Sequence, residues 1–81
     1  MARYYFNFKS GDTLDADEEG QDLPDVTAAA REAELAARQL LADAIKARKP
    51  NVPEAVVVTD EAGTEVYSLP FVAVLPNTLK S

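Results

Sequence analysis

Near the start of the chain, aromatic side chains occupy every second position, at Tyr4, Phe6 and Phe8. This alternation of β-favouring residues predicts a strand with one buried face. A Ser-Gly-Asp turn signal follows, after which Leu14 is expected to face the same core. The pattern therefore predicts a β-hairpin over residues 3–17.

From residue 26 the apolar positions recur at steps of three and four, the period of one face of an α-helix. The predicted buried stripe comprises Val26, Ala30, Ala33, Ala37, Leu40 and Ala44, widened by Leu41 and Ile45. We predict a helix over residues 26–48, capped at its start by the carboxylate of Asp25 and ended by Pro50 and Pro53. Leu35 falls on the side opposite the stripe and is expected to be exposed.

Two more β-rich segments follow, joined by a turn in which Gly63 supplies a left-handed conformation. They predict a second hairpin over residues 54–69. The remaining residues, 70–81, form an apolar tail, and Pro70 at its start is expected to end strand pairing or to mark a sheet edge. The apolar stretch Phe71–Leu75 within this tail must be covered: it could cap the core, pair as a short extra strand or contact a second copy.

Together these elements predict a single α+β domain over residues 1–81, with the order ββαββ. It would have an antiparallel sheet with one long helix packed on one face. One helix cannot cover both faces, so the open face is expected to carry Tyr5, Val57 and either Tyr67 or Val66. Uncovered apolar side chains favour a homodimer or another protein partner. The candidate interface residues are Tyr5, Leu35, Val57, Phe71, Val72, Val74 and Leu75.

Composition narrows the possible functions. The net charge of −6 argues against nucleic-acid binding, which needs a concentrated basic patch. Cysteine and histidine are both absent, which removes thiolate chemistry, the usual general base near neutral pH and the commonest transition-metal ligand. No segment is long enough to span a bilayer. We therefore expect a cytoplasmic, non-enzymatic protein with no cofactor and no membrane partner.

The acidic stretch DADEEGQDLPD, residues 15–25, is the one serious candidate for a ligand site. Asp15, Asp17 and Glu19 stand at alternate positions before a glycine, as in a calcium-binding loop. Val26 stands where that loop needs its closing acid, so an EF-hand is excluded. Weak Ca²⁺ binding by Asp15, Asp17, Glu19 and Asp22 is one interpretation. The other is a solvated acidic turn that delivers Leu23 and the Asp25 cap to the helix.

Several motifs follow one another at the spacing of a known family: RYYFNFKSGD, DEEGQDLPD, AAAREAELAARQLLAD and DEAGTEVYSLPF. The chain resembles, over residues 3–71, a family of small alphaproteobacterial proteins of unknown function. The resemblance implies a short, stand-alone, cytoplasmic bacterial domain, and it carries over no catalytic residues. A weaker likeness, of fold alone, is to the HicB-type antitoxin domain. The leading hypothesis is thus a self-associating protein-interaction module. A cation or small-ligand binder and an antitoxin-like partner protein are the alternatives.

Overall fold

The computed structural model describes residues 1–48 and 52–74 of the chain. These residues form an antiparallel sheet with one helix packed against it, so the predicted α+β class is confirmed. In chain order the elements are β1 (Ala2–Ser10), β2 (Thr13–Asp15), β3 (Gln21–Leu23), α1 (Val26–Lys46), β4 (Ala55–Thr59), β5 (Glu65–Pro70) and a 3₁₀ turn (Phe71–Val74).

The longest strand, β1, is the centre of the sheet, whose order is β2-β1-β4-β5. On one side its residues 5–9 pair with β4, and β4 pairs in turn with β5. On the other side β1 has two short partners: β2 lies opposite residues 8–10, and β3 lies opposite residues 2–4. The return strand predicted over 13–17 therefore ends at Asp15, and β3 is an element that the sequence pattern did not reveal.

The helix lies close to the sheet because its buried face is made of alanines. Ala29, Ala33 and Ala37 are completely buried, and they belong to one core with Val56 and Val58 of β4. A side chain of one carbon lets a helix backbone approach a sheet that already carries aromatic residues. Any larger residue at these positions would overpack the core.

The predicted stripe is correct in its centre and wrong at its ends. Ala29 takes the fully buried position expected of the half-buried Ala30, while Val26 and Ile45 are exposed at the two ends of the helix. The remaining predicted members are buried or pack against the core: Ala33, Ala37, Leu40, Leu41 and Ala44. Ala44, next to Ile45, is buried, so the exposure of Ile45 reflects the side of the helix on which it lies.

Two side chains lie on the opposite face of the sheet from the one expected. Leu14 pairs with Lys9 on the face away from the helix and is 53% exposed, because the register puts Asp15 rather than Leu14 on the helix side. Tyr67 pairs with the buried Val58 and so belongs to the helix side. A register irregularity next to this pair lets Val66 pack against the same core.

The helix begins and ends close to where the sequence predicts. The Asp25 carboxylate accepts a hydrogen bond of 2.9 Å from the backbone N–H of Ala28, which confirms the N-cap. The helix ends at Lys46, two residues before the predicted end, and Arg48 adopts a left-handed φ of 56° after it. Among the described residues no helix combines the length and hydrophobicity needed to cross a bilayer.

After β5 the chain turns back into the core. Pro70 is the last residue of the edge strand, as predicted, and Phe71 is only 4% exposed. The Phe71 ring packs edge-on against Phe8 at a centroid distance of 6.3 Å, and its backbone N–H donates to the carbonyl of Glu54 at 2.8 Å. Phe71 is therefore a core residue, and its assignment to an interface is corrected. Leu75 and the rest of the predicted tail lie outside the described residues.

Candidate functional site

The acidic stretch folds over an opening in the sheet. Because β2 and β3 cover only the two ends of one edge of β1, residues 5–7 of that edge have no strand beside them. The chain between the two short strands, residues 16–20, lies at this opening. We call this segment the Asp17 loop.

The side chain of Asp17 supplies the acceptors that a strand would otherwise provide. Its Oδ2 accepts from the backbone N–H of Phe6 at 3.2 Å, while Oδ1 accepts from the N–H groups of Glu19 and Gly20, both at 3.2 Å. Partial burial opposes ionisation of this carboxyl, but the donors on Phe6, Gly20 and Glu19 outweigh it. The pKa of Asp17 is consequently lowered from its ordinary value of 3.8.

Asn7 ties the same loop to the next strand. Its Oδ1 accepts from the backbone N–H of Asp17 at 2.9 Å, and its Nδ2 donates to the Val57 carbonyl at 3.0 Å and to Thr59 Oγ1 at 3.2 Å. Asn7 is only 5% exposed, although its position in the alternation placed it on the open face. We call this arrangement the Asn7–Asp17 clasp. It joins loop, β1 and β4 through side-chain hydrogen bonds.

Gly20 brings the Asp17 loop into direct contact with side chains of β1. Its φ is +74°, and a Cβ built there would lie 2.8 Å from Cγ of Arg3 and 2.9 Å from Cε2 of Tyr5. The Arg3 guanidinium donates from Nη1 to the Glu19 carbonyl at 2.6 Å, and its Nε lies 3.2 Å from Asp22. The loop thus packs on the part of the open face that Tyr5 occupies, so that this face is smaller than the sequence suggests.

The four candidate metal ligands do not converge on one point. Asp17 directs both oxygens at backbone amides, Asp22 pairs with Arg3, and Glu19 contributes main-chain groups to the loop. Asp15 lies on the helix side of β2, opposite Phe8. Within residues 1–48 and 52–74, no group of three or more acidic residues is placed to hold a metal ion. Ca²⁺ binding stays a prediction, and this geometry does not favour it.

The candidate interface residues divide into three groups. Leu35 and Val72 are well exposed. Tyr5, Val57 and Val74 are half-buried, Tyr5 beneath Gly20 and Val74 against the core. Phe71 is buried, as described above. Of the described candidates, only Leu35 and Val72 present most of an apolar side chain to solvent.

Three residues that hold the loop were not among the predicted site residues: Arg3, Asn7 and Thr59. One signal was present, an asparagine in the middle of an aromatic strand, where its β-propensity is poor. A polar residue there is tolerated when its hydrogen bonds are satisfied inside the fold. Every buried side-chain nitrogen and oxygen in the described part of the chain does have a partner. The clasp is therefore a structural element, because it leaves no buried side-chain polar atom without a hydrogen-bond partner.

We predict that Gly20→Ala destabilises the fold more than Gly63→Ala does. Both glycines have a positive φ, so both substitutions carry a similar backbone cost. Only at Gly20 would the new methyl group also collide with Arg3 and Tyr5, which adds about 1–3 kcal/mol. Urea unfolding of the two variants measures the difference. An equal decrease in the free energy of unfolding for the two variants would mean that the loop does not pack on the sheet at Gly20.

We also predict that Asp17 makes stability depend on acid. Because the folded-state pKa is depressed, its contribution is complete above the unfolded value near pH 4 and is lost as pH falls through the folded value. Asp17→Asn should lower the free energy of unfolding at pH 7 by about 1–3 kcal/mol. The difference in free energy of unfolding between wild type and variant should become smaller as pH falls below about 4. Urea unfolding from pH 7 to pH 2.5 measures this, with Glu18→Gln in the same loop as the control. A free-energy difference that is independent of pH would show that the ionised form of Asp17 is not what stabilises the clasp.

Comparisons with known proteins give a family and no activity. No curated protein and no solved structure matches the chain. Residues 3–72 match a family described as a domain of unknown function, DUF6894. This span contains the helix, the Asn7–Asp17 clasp and the sheet except Ala2, the first residue of β1. The chain therefore belongs to the DUF6894 family.

Proposed function

We propose that this domain is a non-enzymatic protein-interaction module that associates with a second copy of itself through the outer face of α1. The observation that carries the proposal is Leu35. It lies near the middle of a 21-residue helix, opposite the buried alanines, and is 60% exposed. Protein–protein interfaces have an apolar centre, and Leu35 is an apolar side chain at the centre of a long solvent-facing surface.

The surroundings of Leu35 support this assignment. Arg31, Glu34 and Arg38 line a shallow groove beside it, of about 240 Å³. Glu34 pairs with Arg38 at 2.7 Å, so the polar rim is held in place. An apolar centre within a polar rim, with arginine at the edge, is the usual composition of a protein–protein interface.

Charge also favours this face over the acidic Asp17 loop. The whole chain carries −6, which opposes contact between two copies. The groove carries two arginines and one glutamate, a local balance of +1. Two copies that meet here avoid the acidic loop and the acidic turns. Self-association through α1 is thus less costly than through the sheet, where the Asp17 loop concentrates negative charge.

The absence of histidine and cysteine from the sequence supports a non-enzymatic role, because the commonest general base and the commonest thiol nucleophile are both missing. No contact among the described residues favours the cation-binding or the antitoxin-like alternative.

We predict that Leu35→Glu weakens the dimer by at least about tenfold in dissociation constant, which corresponds to about 1.4 kcal/mol. The added carboxylate would face its own copy across a desolvated contact. Leu14→Glu is the matched control, since Leu14 is a leucine of similar exposure on β2, on the face of the sheet away from the helix. Sedimentation equilibrium from micromolar to millimolar protein measures both. The proposal fails if the wild type is monomeric throughout, or if the two variants weaken association equally.

A further inference from the structure

A cleft opens between the C-terminal half of α1 and the edge of the sheet formed by β1 and β2. Its volume is about 300 Å³, at the lower end of the range of ligand-binding pockets. Apolar walls come from Phe8, Leu40, Val52 and Pro53. We call it the Phe8 cleft. It is separate from the Leu35 groove on the outer side of the helix.

Two carboxylates from different elements border this cleft. Asp15 reaches it from β2, because its register partner Phe8 points to the same face of the sheet. Asp43 reaches it from α1, and its Oδ1 accepts a hydrogen bond of 3.2 Å from Gln39. A carboxylate can accept several hydrogen bonds, so this contact leaves Asp43 with free acceptor capacity. Within residues 1–48 and 52–74, neither aspartate takes part in an ion pair.

We propose that the Phe8 cleft binds a lysine side chain of a partner polypeptide. The aliphatic stem would lie along Leu40, Val52 and Pro53, and the ammonium group would lie between Asp15 and Asp43. An apolar channel bordered by two acids matches a side chain that is apolar along its stem and positive at its tip.

The exposure of the two carboxylates favours a polypeptide over a free amine. Both Asp15 and Asp43 are exposed, so each ion pair formed here remains hydrated and is worth about 1 kcal/mol or less. A single ammonium compound would gain little from such contacts. A polypeptide adds main-chain and neighbouring side-chain contacts around the open cleft. This site is independent of the self-association proposed above, since it uses the opposite side of the helix.

The test compares two small probes by NMR on the labelled 81-residue chain. Nα-acetyl-lysine N-methylamide carries the proposed side chain, and Nα-acetyl-norleucine N-methylamide carries the stem without the charge. We expect the lysine probe to shift the signals of Phe8 and Leu40 with a millimolar dissociation constant, and the norleucine probe to bind at least fivefold more weakly. Equal binding of the two probes, or no shift at either residue, would overturn the proposal. So would tighter binding of free n-pentylamine, which would identify a small-amine site.

Variants separate this site from the general negative charge of the protein. Asp15→Asn/Asp43→Asn should reduce lysine-probe binding at least fivefold. Asp12→Asn/Glu65→Gln removes the same two charges from exposed positions outside the cleft and should leave binding within twofold. Equal losses in the two double variants would show a nonspecific charge effect and reject the site. Sedimentation of the Asp15/Asp43 variant should match the wild type, so that failure of this site and failure of the Leu35 interface remain distinguishable.

Discussion

The structure depends on how the central strand β1 completes its outer edge. Two three-residue strands cover the ends of that edge, and the residues between them have no strand partner. An unpaired N–H in a shielded position costs about 1–3 kcal/mol. The Asp17 carboxylate accepts from the Phe6 amide at this point and from two amides of its own loop. A charged acceptor makes stronger hydrogen bonds than a neutral one, which suits a residue that must organise three donors.

The rest of the fold follows from this closure. With the Asp17 loop fixed against Asn7, the chain returns along β1 as β3 and places Leu23 in the core. Asp25 then caps the helix two residues later. The alanine face of α1 can settle on β4 only if the helix starts in the right place. The clasp thus controls the position of the helix start as well as the edge of the sheet.

Much of this architecture could be predicted because it depends on local patterns. The period of the alanines identified the helix, Asp25 its cap and Gly63 the turn between the last two strands, where its φ is +83°. What could not be predicted depends on partners distant in sequence. Leu14 follows the alternation but meets Lys9 on the outer face, and Asn7 is buried by residues 10 and 50 positions away. Three-residue strands such as β3 are too short to show a period.

The acidic loop illustrates the same limit for the candidate site. Carboxylates at alternate positions before a glycine suggest a cation loop, and no sequence pattern distinguishes an acid that binds metal from one that accepts amide hydrogen bonds. The structure makes the distinction. Asp17 accepts from the Phe6 amide, Asp22 pairs with Arg3, and Asp15 lies on the helix side of the sheet. The two surfaces that we propose for interaction lie on different sides of α1, at Leu35 and at the Phe8 cleft.

Amide hydrogen exchange at Phe6, followed by NMR, measures whether the Asp17 carboxylate closes the edge of β1. If the Asp17 carboxylate completes the edge of β1, the Phe6 amide should be protected about as strongly as the amides of β4, which has a strand on both sides. It should also lose that protection in Asp17→Asn, while the β4 amides keep theirs. A Phe6 amide that exchanges in the wild type as fast as that of the exposed Glu18 would show that Asp17 does not close this edge.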